Sequence, residues 1–112
     1  MALLLLMGAA LHGQSNSTGV LAARWHNSGF AGDDNYNAVT AASDGKIYYV
    51  IAAHKIDLGA HMFRYDPASG KVEQLADLTE ASGEKGLKTI PQGKSHVNFY
   101  EHQGKLYFAT HL

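Results

Sequence analysis

Histidine is the main chemical resource of this chain, which has seven histidines and no cysteine in 112 residues. Without cysteine, disulfides and thiolate metal sites are excluded, whereas neutral imidazole is a common ligand of Zn, Mn or Fe. His54, His96 and His111 lie at the ends of predicted strands, so we expect them to be the metal ligands. The alternative is that they are surface histidines without a ligand role. The absence of His-x-His or His-Glu-x-x-His spacing favours that alternative.

A second candidate for chemistry is the acidic stretch at residues 33–37. Asp33, Asn35 and Asn37 have the spacing that opens a calcium loop, and Asp44 falls at its twelfth position. Ala38 stands where such a loop requires glycine, so a plain polar loop is favoured. With the histidines, this stretch predicts a divalent metal (Mn, Zn or Ca) as the cofactor, if there is one.

Lysines in a glycine-containing loop form the third candidate. Lys85, Lys88 and Lys94 are expected to meet an acidic ligand such as a uronate or a phosphate. Residues 93–95 read Gly-Lys-Ser but lead into a predicted strand, which argues against a Walker loop. Tyr36 lies in polar surroundings and is predicted to stack on a sugar. For the lysines, the alternative is that they belong to a solvated charged loop without a ligand.

Bulk properties narrow the class of protein. The net charge of −1 argues against nucleic acid as a partner, and 46% apolar with 17% charged residues is typical of a folded chain. Residues 2–11 form an apolar run of signal-peptide length, too short to span a bilayer. We therefore predict a signal peptide at 1–14, a periplasmic or secreted location, and no membrane span after cleavage. The alternative is a buried N-terminal helix.

A repeat organises the elements that would position these residues. Gly-Lys-Ile-Tyr-Tyr at 45–49 returns as Gly-Lys-Leu-Tyr-Phe at 104–108, which is 59 residues further on. Apolar runs separated by turn residues predict an all-β chain of antiparallel strands. The predicted strands are 38–42, 46–53, 61–65, 71–78, 95–100 and 105–110. The aromatic residues Tyr48, Tyr49, Tyr107 and Phe108 are predicted to lie in the core.

This pattern divides the chain into segments. A polar segment at 15–37 precedes a complete four-stranded unit at 38–78. An inserted loop follows at 79–94, with one helical turn near its start, and 95–112 forms half of a second unit. A four-stranded sheet buried on both faces needs neighbours stacked against it, which predicts β-propeller-type blades.

Three phrases carry a resemblance to a known class of repeat protein. Residues 44–49 (Asp-Gly-Lys-Ile-Tyr-Tyr), residues 64–72 (Arg-Tyr-Asp-Pro-Ala-Ser-Gly-Lys-Val) and the copy at 104–108 are similar to blades of bacterial β-propellers. The kelch-like, streptogramin-lyase-like and oligogalacturonate-lyase-like groups share them. The resemblance covers residues 38–112 and implies an N-terminal fragment with about one and a half blades. The oligogalacturonate-lyase-like group also implies a histidine-rich metal site.

Two functions follow as expectations. The first is a ligand- or protein-binding scaffold, whose partner is an acidic carbohydrate or another protein. The alternative is an enzyme, a metal-assisted polysaccharide (uronate) lyase or a related propeller enzyme. A truncated product with no independent function is the third interpretation.

Overall fold

The computed structural model describes residues 26–112, so the signal peptide predicted at 1–14 lies outside the described residues. This part of the chain is mostly β-structure, and it contains no helix long and apolar enough to cross a membrane. Its elements in chain order are β1 (Val39–Ala41), β2 (Ile47–Ile51), β3 (His61–Asp66), β4 (Lys71–Asp77), α1 (Leu78–Ala81), β5 (Tyr100–His102) and β6 (Lys105–Tyr107).

The first four strands form one antiparallel sheet in the order β1-β2-β3-β4. This confirms the four strands predicted within residues 38–78, and the turn chemistry explains the connections. Gly45 and Gly70 have positive φ angles of 78° and 71°, which side-chain-bearing residues rarely adopt. Asp66 accepts a hydrogen bond from the amide of Ala68 at 2.9 Å, so the turn between β3 and β4 is closed by its own first residue.

The second unit is a hairpin of β5 and β6, and its first strand differs from the prediction. A strand was expected at 95–100, but β5 begins only at Tyr100. The turn differs as well: His102 pairs directly with Lys105, leaving Gln103 and Gly104 as a two-residue turn with φ angles of 49° and 70°. In the first unit the pair next to the turn is Ala41 and Ile47, which leaves a longer connection between the two strands. The shorter turn therefore moves the pairing of the second hairpin along the chain.

The core lies between one face of the sheet and this hairpin. Val50 and Met62 are partners on neighbouring strands of the sheet, and Leu106 and Phe108 pack against the same cluster from the hairpin side. Burial of apolar surface there is the main force that holds the two β-units together. The buried residues of this core are Ala38, Val50, Ala60, Leu78 and Phe99, and the partly buried Met62, Ala76, Leu106 and Phe108 pack against them.

The opposite face of the sheet carries a separate aromatic layer. Tyr49 stacks on Phe63 with ring centroids 5.5 Å apart, and Phe30 packs on Phe63 at 5.8 Å. Neighbouring residues of a strand point to opposite faces, so Tyr49 and Val50 serve different layers. The core prediction is wrong for Tyr107, which is 51% exposed, because the same alternation turns it away when Leu106 and Phe108 face inward.

Candidate functional site

Five of the seven predicted site residues converge at one end of the sheet, and we call them the imidazole cluster. Tyr36 precedes β1, and His54 follows β2. Lys94 and His96 belong to the segment before β5, and His111 follows β6. Residues from four separate segments therefore meet where β1 begins and β2 ends.

Polar side chains before β1 fix the first of these segments. The amide nitrogen of Asn35 donates to the carbonyl oxygens of Val50 at 2.6 Å and Ala38 at 3.0 Å. The amide nitrogen of Asn37 donates to the carbonyl oxygen of His96 at 3.4 Å. Side chains that bond to neighbouring backbone in this way hold a loop without regular secondary structure.

A close backbone approach at Gly93 fixes the other segments. Its carbonyl oxygen accepts from the amide of Ala53 at 2.9 Å, and its own amide donates to the carbonyl oxygen of His111 at 3.0 Å. A Cβ atom at this position would lie only 3.1 Å from the carbonyl oxygen of Ala53. The absence of a side chain at Gly93 therefore lets the segment carrying Lys94 and His96 lie between the ends of the two hairpins.

The shortest side-chain contact of the cluster joins Tyr36 and His54. The Tyr36 hydroxyl lies 2.7 Å from Nε2 of His54, and the two rings meet edge-on. On the far side of the imidazole, Asp33 accepts a hydrogen bond from the His54 backbone amide at 2.7 Å, and its Oδ2 lies 3.7 Å from Nδ1. A carboxylate, an imidazole and a hydroxyl thus follow one another, which is an order suited to proton transfer.

The remaining cluster residues form a continuous run of rings. The centroid of His96 lies 4.1 Å from that of Tyr36 and 4.3 Å from that of His111. Nζ of Lys94 lies 5.9 Å from the Tyr36 ring centroid, within the range of a cation–π contact. The pKa of His96 is lowered by partial loss of hydration and by the positive charges of His111 and Lys94. The geometry therefore places the Lys94 cation beside a tyrosine ring and beside an imidazole that is harder to protonate than usual.

Metal binding was the first prediction for three of these residues. Within residues 26–112, no group of three or more His, Asp or Glu side chains is arranged to hold a metal ion. Nε2 of His54 is engaged by Tyr36, and Nδ1 of His111 lies 2.8 Å from the carbonyl oxygen of Leu112. The divalent-metal cofactor stays a prediction, and no step proposed below passes through a metal.

The calcium-loop residues serve other bonds in this structure. Asp33 bonds to the backbone of His54, while Asn35 and Asn37 donate to carbonyl oxygens as described above. Asp44 accepts from the Lys46 amide at 3.0 Å and from the Tyr48 hydroxyl at 2.9 Å, as expected for a turn residue. These contacts are those of a plain polar loop, which was the alternative to a calcium loop.

Two predicted lysines lie outside the cluster. Lys85 forms ion pairs with Glu80 at 2.7 Å and Asp77 at 3.3 Å, beside α1. These two carboxylates raise its pKa, so its charge is already matched within the protein. Lys88 is exposed, and among the described residues it forms no hydrogen bond or ion pair.

Sequence reasoning missed the role of Asp33 as the carboxylate behind His54. The two residues are 21 positions apart, and no short motif connects them. In the structure, a backbone bridge between Asp34 and Ala52 brings Asp33 next to the end of β2. That bridge depends on the folded sheet and has no counterpart in a local sequence pattern. No protein-family model, curated protein or solved structure matches the chain.

Proposed function

We propose that the chain is an exported β-propeller-type repeat module, and that its imidazole cluster binds an acidic ligand. The observation that carries the proposal is the convergence of Lys94 and three imidazoles with Tyr36 at one end of the sheet. A lysine cation beside an aromatic ring suits a ligand that has both a carboxylate and a ring face. An acidic carbohydrate, such as a uronate oligosaccharide, has both.

The blade interpretation is supported by how the two units pack. A four-stranded antiparallel sheet covers one apolar face with the next hairpin of the chain, through Val50 and Met62 on one side and Leu106 and Phe108 on the other. Radially stacked blades share a core in this manner. In such an arrangement ligands gather where loops of successive blades meet, which is where the cluster lies.

Titration with oligogalacturonate tests the binding function. We expect saturable binding that weakens as salt rises, because the attraction between exposed charges is screened. A neutral oligosaccharide of the same length should bind much more weakly. Lys94→Gln should reduce the affinity about tenfold, which corresponds to the loss of one charge-assisted contact. Lys88→Gln is the matched control, since Lys88 is an exposed lysine outside the cluster. Equal binding of acidic and neutral sugars would refute the proposal.

A second candidate function is a uronate lyase, and the contact between Tyr36 and His54 favours it. In such an elimination, a base removes the C5 proton of the uronate, the C4–O bond breaks, and a C4–C5 double bond forms. The leaving oxygen takes up a proton, so no other reactant is needed. Lys94 would neutralise the carboxylate, while His54 and Tyr36 would accept and return the proton.

Formation of the new double bond distinguishes an enzyme from a scaffold. The unsaturated product conjugates its double bond with the carboxylate and absorbs ultraviolet light. If the chain is a lyase, absorbance rises with time, and Tyr36→Phe abolishes the rise while leaving oligogalacturonate binding nearly intact. If the chain is a scaffold, binding occurs without any change in absorbance.

A further inference from the structure

A cleft of about 240 Å³ lies beside the imidazole cluster, between the β2–β3 loop and the segment before β5. His54 and Lys94 belong to both the cluster and the cleft, and Lys55 stands on the same rim. The rest of the wall is apolar. It is made by Ala53, Ile56, Ile90, Pro91, Gly93 and Leu112.

The apolar wall is unusually open to water. Ile56 is 82% exposed, Ile90 55% and Leu112 56%. Backbone pairing of Lys55 with Leu58 closes a tight turn that holds Ile56 at its tip. A grouped set of exposed apolar side chains, rimmed by polar ones, is typical of a binding site, whereas scattered single residues need no explanation.

The charges on the rim identify the kind of ligand. Among residues 26–112, neither Lys55 nor Lys94 forms an ion pair: Lys55 donates to the carbonyl oxygen of Ala31 at 3.4 Å, and Lys94 lies over Tyr36. Both charges therefore remain to be matched, in contrast to that of Lys85. An apolar wall beside unmatched cations complements a molecule that has an apolar body and one negative end.

From this arrangement we propose that the cleft binds a small carboxylic acid with an apolar body of one ring or a short chain. The carboxylate is held by Lys94 and Lys55, and the body covers Ile56 and Ile90. The volume is below the roughly 300–1,000 Å³ of pockets for drug-sized ligands, so the ligand is small. The inference rests on the proposed anion-binding role of the cluster, because Lys94 and His54 serve both.

Chemical-shift titration of the isotope-labelled chain with 3-phenylpropionate tests the cleft. Two related ligands separate the contributions: 3-phenylpropanamide keeps the body without the charge, and propionate keeps the charge without the ring. We expect 3-phenylpropionate to bind at least about tenfold more tightly than either. The shifts should centre on Ile56, Ile90 and Lys94. Equal affinity for the acid and its amide would overturn the inference.

Variants separate this inference from the function proposed above. Ile90→Ser should weaken 3-phenylpropionate several-fold and leave oligogalacturonate unaffected, and Lys94→Gln should weaken both ligands. His111→Asn should weaken oligogalacturonate alone, and Lys105→Gln in the hairpin should change neither. If the chain binds oligogalacturonate but not 3-phenylpropionate, the inference about the cleft is overturned and the proposed function stands. If Lys94→Gln weakens the binding of neither ligand, both the inference about the cleft and the proposed function are overturned.

Discussion

Glu101 of β5 holds Ser43 in the turn between β1 and β2, although the two residues are 58 positions apart. Its carboxylate accepts one hydrogen bond from the Ser43 amide at 2.9 Å and another from the Ser43 hydroxyl. Bonds to an ionised acceptor are stronger than neutral ones. The hairpin is therefore fastened to the sheet by a polar contact at one end as well as by the shared core.

Replacing this carboxylate should loosen the hairpin. Glu101→Gln removes the charge and one of the two acceptor oxygens, so we expect a loss of about 1 kcal/mol in the free energy of unfolding. Urea denaturation measures it. Asp57→Asn is the matched control, because Asp57 is an exposed carboxylate in the β2–β3 loop. Equal effects of the two variants would show that the contact with Ser43 contributes nothing.

The imidazole cluster should make stability depend on pH. The folded-state pKa of His96 lies below its ordinary value of 6.5, so the folded chain binds fewer protons than the unfolded chain in that range. The stability associated with neutral His96 is therefore present above pH 6.5 and is lost as pH falls through the lower folded value. Thermal unfolding between about pH 5 and 8 should show this decline, and His96→Asn should reduce it.

A charge variant separates the causes of that lowered pKa. Lys94→Gln removes one neighbouring positive charge and should move the pKa of His96 up towards 6.5, as measured by the NMR titration of its ring proton. Lys105→Gln in the hairpin should leave it unchanged. A His96 pKa that stays the same in Lys94→Gln would contradict the arrangement of charges described for the cluster.

The N-terminus of α1 depends on Asp77. Its carboxylate accepts from the amides of Thr79 at 2.9 Å and Glu80 at 3.3 Å. Burial opposes its ionisation, but these bonds and Lys85 outweigh burial and lower its pKa. Asp77→Ala should cost about 1 kcal/mol of unfolding free energy, whereas Asp77→Asn retains the cap and should cost less. The contribution of ionised Asp77 should disappear as pH falls below 3.8 through its lowered pKa.

The outer side of the hairpin should promote self-association. Tyr100 and Tyr107 are direct partners across β5 and β6, and they are 67% and 51% exposed. Sedimentation should therefore reveal concentration-dependent association, which Tyr107→Lys should reduce. Leu87→Lys is the control, since Leu87 is 59% exposed in a loop. A monodisperse wild-type chain that melts cooperatively would contradict this prediction.

Local chemistry made the first sheet predictable from sequence. The turns at Gly45 and Gly70 have positive φ angles, and a glycine in the sequence indicates such a position directly. The strand pairing of the second hairpin was harder to predict. Gln103, which is not a glycine, also adopts a positive φ angle, and the resulting two-residue turn changes which residues of β5 and β6 are partners. Tyr107 points outward because Leu106 and Phe108 on either side of it face the core, and its match to Tyr48 in the repeat does not reveal which face of the hairpin is covered.

The candidate site was predictable only as a set of residue types. His54, His96, His111, Lys94 and Tyr36 were each identified from sequence, but their convergence depends on bonds between distant segments, such as those of Gly93. Lys85 was predicted to meet a ligand on the same grounds, and in the structure its side chain pairs with Glu80. A lysine's type does not reveal whether a carboxylate of its own chain will lie within reach.

The shared core joins two unlike surfaces. Leu106 and Phe108 correspond in the repeat to Ile47 and Tyr49, yet they pack against the core cluster that contains Val50, which points to the face opposite Tyr49. The contact is therefore heterologous, with the front of one unit meeting the back of the next. Any assembly extended through such a contact has a direction, and it ends only where the accumulated rotation closes a ring.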